Sequence, residues 1–164
     1  MSFINKESLL WKIIHNAFRF LISLAFIIVF QTLFGVENTL LGVAISVGFT
    51  MLPMCNLDIK PWTMFWIIVI LYGGSTFVAQ LSAVNPWLAF GCNFIFLSLI
   101  ILLANEPLEY QTNITFLLCF VFSQSTVVSW SQFPMRATAG IVGGIFVGGC
   151  VVLNWYRHGY GGKI

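Results

Sequence analysis

The segment PWTMFWIIVILYGGSTFVAQLSAVNPWLAFGCNFIFLSLIILLAN, residues 61–105, decides the fold because none of its 45 side chains is charged. An α-helix needs about 20 mainly apolar residues to cross the ~30 Å hydrocarbon core of a bilayer. Residues 61–105 are about twice as long as one such helix, so the chain must turn back once within them.

The whole chain shares the apolar character of this segment. Hydrophobic residues make up 59% of it, charged residues make up 7%, and the mean hydropathy is +0.96. A soluble domain is about 25% charged. Long apolar runs cross a bilayer as helices, because helical backbone groups hydrogen-bond within their own segment. We therefore expect an all-α integral membrane protein.

Charges and turn residues interrupt the apolar runs and separate six predicted transmembrane helices. These are residues 20–34, 38–54, 61–81, 86–104, 112–130 and 135–156. The chain then divides into an N-terminal segment, a six-helix transmembrane module and a C-terminal tail, at residues 1–19, 20–156 and 157–164.

The basic residues predict how these helices are oriented. When successive helices alternate in direction, six of the seven basic residues fall on one side: Lys6, Lys12, Arg19, Lys60, Arg157 and Lys163. Arg136 alone falls on the other side. Cytoplasmic loops carry an excess of Lys and Arg, so both termini are expected in the cytoplasm. The expected location is the cytoplasmic (inner, plasma) membrane of a bacterium, with the lipid bilayer as a partner.

The N-terminal segment has an amphipathic stretch at residues 8–19. Its apolar residues recur at spacings of three and four, which indicates a short amphipathic helix at the inner membrane interface. They are Leu9, Leu10, Ile13, Ile14, Ala17 and Phe18. The alternative is that this stretch is the cytoplasmic end of a long, tilted first helix.

The end of the fifth predicted span is unusually polar. Residues 123–132 read SQSTVVSWSQ, and an unpaired polar group in hydrocarbon costs several kcal/mol. This stretch should therefore face protein or a hydrated cavity. Of the six predicted helices, only the fifth offers such a polar stripe, which makes a channel a less favoured interpretation.

Arg136 follows this polar stretch, in the first predicted turn of the sixth helix. A cation there is disfavoured by a few tenths of a kcal/mol, because the N-terminus of a helix is its positive end. The position predicts a compensating negative charge from Glu37, a ligand carboxylate or a lipid phosphate. The alternative is an arginine that extends to the interface without binding anything.

Glycines dominate the rest of the sixth helix. Gly140, Gly144 and Gly148 form two overlapping Gly-x-x-x-Gly repeats, and Gly143 adjoins them. Such repeats let a second helix approach closely, so these four residues are predicted to pack against another helix.

Sites for metals, cofactors or catalysis are not predicted. The four cysteines form no Cys-x-x-Cys pair, and His15 and His158 lie far apart without acidic or cysteine partners at ligand spacing. No catalytic triad or phosphate loop is recognisable, and no basic face would bind nucleic acid. We therefore expect no enzyme activity, no metal and no cofactor.

Several motifs together resemble the fusaric-acid-resistance (FUSC-like) group, which is related to aromatic acid exporters. They are Asn85-Pro86-Trp87-Leu88-Ala89-Phe90-Gly91, Tyr110-x5-Phe116-x3-Phe120-Val121-Phe122, Thr126-Val127-Val128-Ser129, and Phe133-x2-Arg136 followed by Gly140, Gly143 and Gly144. The similarity covers about residues 40–156. Members of the group usually carry two six-helix modules, whereas this chain has one. The resemblance therefore implies a homodimer or a related six-helix partner.

The leading functional hypothesis is an exporter of an amphipathic or aromatic organic anion. Arg136 would attract the anion, Ser125, Thr126, Ser129 and Gln132 would line a polar vestibule, and Phe120 and Trp130, with Phe116 and Phe122, would supply apolar surface. The alternative is a non-transporting scaffold or accessory subunit of an envelope or lipid-handling complex. Arg136 would then bind a lipid headgroup or a protein partner.

Overall fold

The computed structural model describes residues 6–52, 60–105 and 110–158, and within them the regular structure is entirely helical. Six α-helices and one 3-10 turn (η1) follow in order: α1 (Lys6–Phe34), η1 (Val36–Asn38), α2 (Thr39–Met51), α3 (Pro61–Ser82), α4 (Pro86–Asn105), α5 (Tyr110–Ser125) and α6 (Phe133–His158). The prediction of an all-α chain is confirmed. Cys55, Glu106, Glu109 and most of the tail at 157–164 lie outside the described residues.

Local sequence explains where several helices begin and end. Both α3 and α4 begin at a proline, whose fixed φ suits the first helical position and whose missing N–H costs nothing there. The helix α1 ends at Gly35, which adopts φ 87° and donates its N–H to the Gln31 carbonyl at 2.8 Å. Glycine takes this left-handed conformation without steric cost.

The helix α1 corrects the prediction of a separate amphipathic helix at residues 8–19. It runs unbroken for 29 residues from Lys6 to Phe34, and so is about 43 Å long. This stretch contains no glycine or proline that would end a helix. The amphipathic stretch is therefore the first part of a long first helix, as the alternative interpretation had it.

The helix α5 corrects the prediction of a fifth span reaching residue 130. It ends at Ser125, and residues 126–132 form a non-helical connection to α6. The hydroxyls of Ser125 and Thr126 both donate to the Phe122 carbonyl, at 3.1 and 2.8 Å. Bonds of the same kind occur inside α3, at Ser75 and Thr76, so they do not end a helix by themselves. Val127 and Val128 follow, and β-branched residues lose side-chain freedom in a helix.

Three of the described helices are long and apolar enough to cross a membrane: Asn16–Phe34, Pro61–Ser82 and Phe133–Arg157. Shorter apolar helices occupy Val36–Met51, Pro86–Leu102 and Ile114–Ser125. Within the described residues α2 has 13 residues and α5 has 16, which gives lengths of about 20 and 24 Å. Large apolar side chains such as Trp87, Phe90 and Leu102 are exposed on the outside of the bundle, as is compatible with a membrane protein.

The helices pack as two halves with matching neighbours. Within each half, the first helix packs on the second: α1 on α2, and α4 on α5. Between the halves, α3 packs on α6, α2 on α5, α2 on α6, and α3 on α5. Successive helices alternate in direction, and each half contains an odd number of helices. Corresponding helices therefore run in opposite directions, as in an inverted repeat. The short helices α2 and α5 occupy the same position in the two halves.

The glycines of α6 contact α3 of the same chain. A Cβ added at Gly144 would lie 2.9 Å from the Val69 Cα, and one added at Gly140 would lie 3.2 Å from the Tyr72 carbonyl oxygen. Gly148 meets the Phe65 ring, at 2.7 Å from such a Cβ, and Gly143 meets Ile45 on α2. The glycine face is therefore occupied within one chain, and a second copy would have to contact a different surface.

Candidate functional site

The polar residues of the α5–α6 connection lie at one end of the bundle, beside the end of α3 and beside η1. Gln80, near the end of α3, donates from Nε2 to the Val128 carbonyl at 3.1 Å. Gln132 donates from Nε2 to the Glu37 carboxylate on η1, also at 3.1 Å. Residues 126–132, which belong to the second half, are thus fastened to the first half at two points.

Arg136 is the most deeply buried charge at this end, with only 1% of its surface exposed. Its Nη1 donates to the Thr126 carbonyl, and its Nη2 donates to the Ser123 carbonyl at 3.1 Å and to the Thr126 hydroxyl at 2.6 Å. Both carbonyls stand at the C-terminus of α5, where a helix carries about half a negative charge. Arg136 therefore caps α5 from the adjacent helix α6.

This cap changes the interpretation of the charge on Arg136. The α5 terminus supplies part of the negative potential that was expected from Glu37 or from a ligand. Glu37 instead accepts a hydrogen bond from Gln132, and within the described part of the chain no carboxylate bonds the guanidinium. The buried Nε of Arg136 also has no hydrogen-bond partner among residues 6–52, 60–105 and 110–158. The side chain does not extend to the surface, so the simple interfacial alternative is wrong.

The other predicted site residues are distributed over four places. Thr126 contacts Arg136 directly, as described above. Ser129, Trp130 and Gln132 are exposed on the connection, where the Ser129 and Ser131 hydroxyls lie 2.9 Å apart. Ser125 is exposed at the end of α5. Phe120 lies in the core, where its ring stacks on Phe96 with centroids 5.1 Å apart.

A buried hydroxyl and thiol cluster beside Arg136 was missed by sequence reasoning. Ser75 on α3 places its Oγ 3.3 Å from the Cys119 Sγ and 3.4 Å from the Ser123 Oγ on α5. All three side chains are at most 1% exposed. The spacing of four between Cys119 and Ser123 was the available signal, because it puts both on one face of a helix. Nothing in the sequence pairs that face with Ser75.

A second polar cluster joins α3, α4 and α5. Asn93 accepts at Oδ1 from Gln124 Nε2 at 2.7 Å and from the Ser82 hydroxyl at 3.0 Å. Hydrogen bonds of this kind hold helices together inside a membrane, at about 0.6 kcal/mol each on average. This cluster ties α4 to the inner helices at the same end of the bundle.

Removing the Gln80 amide should loosen the α5–α6 connection. We expect Gln80→Met to lower the free energy of unfolding by about 1–2 kcal/mol, because the Val128 carbonyl is left without its buried donor. Thermal unfolding in detergent would measure this loss, and limited proteolysis would report cleavage within residues 126–132. The matched control is Gln132→Met, because Gln132 is exposed and its loss should change stability by no more than about 0.5 kcal/mol. Equal losses in both variants would contradict the assignment.

Comparison with known proteins provides no additional evidence about this site. No family model, curated protein or solved structure matches the chain. The candidate site rests on its own geometry.

Proposed function

We propose that this protein is a membrane transport protein that exports an amphipathic or aromatic organic anion. The observation that carries the proposal is the buried Arg136 guanidinium, whose hydrogen-bond partners are all uncharged oxygens of Thr126 and Ser123. The resemblance to FUSC-like proteins points to the same class of substrate. The proposed arrangement has six membrane crossings, with both termini in the cytoplasm and Arg136 near the outer surface.

The electrostatics of this site favour an anion. Moving a charge out of water costs several kcal/mol unless it is paired, and a helix C-terminus supplies only about half a negative charge. Arg136 also keeps one buried donor, Nε, that has no acceptor in the part of the chain that the structure describes. A carboxylate could satisfy that donor and neutralise the remaining charge through a charge-assisted hydrogen bond. The exposed Trp130, Ser129 and Gln132 would provide its approach from outside.

A two-module unit remains part of the proposal. Because the α6 glycines pack on α3 within the chain, two copies would associate through their outer apolar faces. The short helices α2 and α5 would be accommodated by their longer neighbours and by local thinning of the bilayer.

Export of benzoate from proteoliposomes tests the proposal. We expect Arg136→Gln to reduce efflux by about tenfold or more, since a charge-assisted bond contributes about 1.5–3 kcal/mol. Arg136→Lys should retain part of the efflux, because it keeps the charge but loses the planar fork. Rates are normalised to folded protein measured by size-exclusion chromatography. The control Arg157→Gln makes the same charge change at an exposed position of α6 and should leave efflux unchanged. Wild-type vesicles that retain benzoate as well as empty vesicles do would reject the exporter.

The cap geometry itself favours one alternative function, that of a scaffold or accessory subunit. An arginine that holds the end of α5 through two carbonyls and a hydroxyl has a sufficient structural role without a substrate. In that case wild-type protein would move no benzoate, and Arg136→Gln would change only stability and recovery with partner proteins.

A further inference from the structure

The polar residues of α5 continue from Arg136 into the centre of the bundle. Thr115, Cys119 and Ser123 recur every four residues and are at most 1% exposed, and Thr126 follows beside Arg136. Residues four apart lie on one face of a helix, so these side chains form a line along α5. The line covers 12 residues, or about 16 Å, which is roughly half of the hydrocarbon core.

Polar and small residues of α3 and α2 face this line. Ser75 contacts both Cys119 and Ser123. Tyr72, one turn away on α3, donates its hydroxyl to the Ala44 carbonyl on α2 at 3.4 Å. The same hydroxyl lies against Gly48, and a Cβ added at Gly48 would also lie 3.4 Å from the Thr115 methyl group. We call this region, where α2, α3 and α5 meet, the polar seam.

Two further observations connect the polar seam with a ligand. The first is the Nε of Arg136, which has no hydrogen-bond partner among the described residues although only 1% of the side chain is exposed. Arg136 borders the seam because its Nη2 donates to the backbone carbonyl of Ser123. The second is the position of α2 and α5, the two short helices, at corresponding places in the inverted halves. A pair of short segments at corresponding positions of two repeats is the best sequence-level indication of a transporter binding site.

We propose that the polar seam is the outer half of the path along which the exported anion crosses the bundle, with Arg136 at its outer end and Tyr72 at its inner end. This inference rests on the proposed export function. The seam is closed in this structure, because Tyr72, Ser75 and Cys119 are all buried. Transport would require α5 to separate from α2 and α3, which would hydrate the line from Ser123 to Thr115.

Native cysteines test this path. A seam that opens to water would make Cys119 the fastest of them to react with a charged reagent, whereas the exposures in the closed structure would make it the slowest. Cys92 and Cys150 are half-buried, whereas Cys119 is 1% exposed. Three variants each keep one of these cysteines and carry alanine at every other cysteine. Each is placed in nanodiscs and treated with charged 2-sulfonatoethyl methanethiosulfonate, and modification is followed by mass spectrometry. Thiolates are the reactive form, and burial in apolar surroundings suppresses them, so in the closed protein Cys119 would be the slowest of the three. We expect opening of the seam to water to reverse this order, with Cys119 reacting about tenfold faster than Cys92 and Cys150.

Benzoate provides the second readout. It should slow the modification of Cys119 and leave that of Cys150 unchanged. A Cys119 rate no higher than those of Cys92 and Cys150, or a Cys119 rate that benzoate does not alter, would overturn the polar seam as the path.

The two proposals fail in distinguishable ways. If wild-type vesicles export benzoate but Cys119 stays inert, the path is wrong and the export function stands. If Cys119 reacts in the expected order and benzoate slows it, but no vesicle exports benzoate, the seam binds the anion without transporting it.

Discussion

Arg136→Met is expected to lower the free energy of unfolding by about 2–4 kcal/mol, since charge-assisted bonds contribute about 1.5–3 kcal/mol each and are not additive. Methionine fills part of the same volume but leaves the carbonyls of Ser123 and Thr126 without donors. The α5 terminus would then fray into the connection that follows it. Thermal unfolding in detergent would measure the loss, and hydrogen exchange would locate it at residues 123–126.

Arg157→Met is the matched control for this loss. Arg157 is exposed near the other end of α6, and a surface substitution of this kind changes stability by no more than about 0.5 kcal/mol. If Arg136→Met unfolded at the wild-type temperature, the cap would be energetically unimportant, and Arg136 would be available entirely for a ligand.

Gly144→Ala is expected to lower the free energy of unfolding by about 1–3 kcal/mol, the usual cost of overpacking. The added methyl carbon would meet backbone on α3, at 2.9 Å from the Val69 Cα and 3.4 Å from the Ile68 carbonyl oxygen. Backbone cannot rotate aside as a side chain can, so α6 must move away from α3. Thermal unfolding in detergent would register the change as a lower midpoint.

Gly149→Ala provides the control on the same helix. No atom of the described residues lies within 4 Å of a Cβ at that position, and alanine favours a helix over glycine by about 1 kcal/mol. Gly149→Ala should therefore be neutral or stabilising. A Gly144→Ala protein as stable as Gly149→Ala would show that the two helices tolerate separation, and the close α3–α6 contact would lose its importance.

The helices that begin at prolines were predictable from sequence because their signals are local. The predicted spans at 61–81 and 86–104 agree with α3 and α4 to within one residue at each end. Pro61 and Pro86 mark the first helical positions, and the apolar run that follows each proline has no internal break. The need for a close partner of the α6 glycines was predictable for the same reason, although the identity of that partner was not.

The environment of Arg136 depends on contacts that a sequence does not contain. Sequence reasoning considered only the dipole of α6, on which Arg136 lies, and so predicted an unfavourable position that needed an acid. The fold brings the C-terminus of α5 within hydrogen-bond distance, and that terminus has the opposite polarity. The early end of α5 at Ser125 makes this possible, and a hydropathy pattern that continues through Val127 and Val128 does not reveal it.

The shortness of α2 and α5 also bears on the source of energy for export. In the proposed orientation, these helices, which extend about 20 and 24 Å within the described residues, would reduce the thickness of the insulating layer at the centre of the bundle below the ~30 Å of the surrounding bilayer. The transmembrane voltage would then fall over a shorter distance inside the protein than in the lipid around it. A cell interior that is electrically negative drives an anion outward, by about 2.3 kcal/mol per charge for each 100 mV. A path along α5 would place the substrate where that voltage acts on it most steeply.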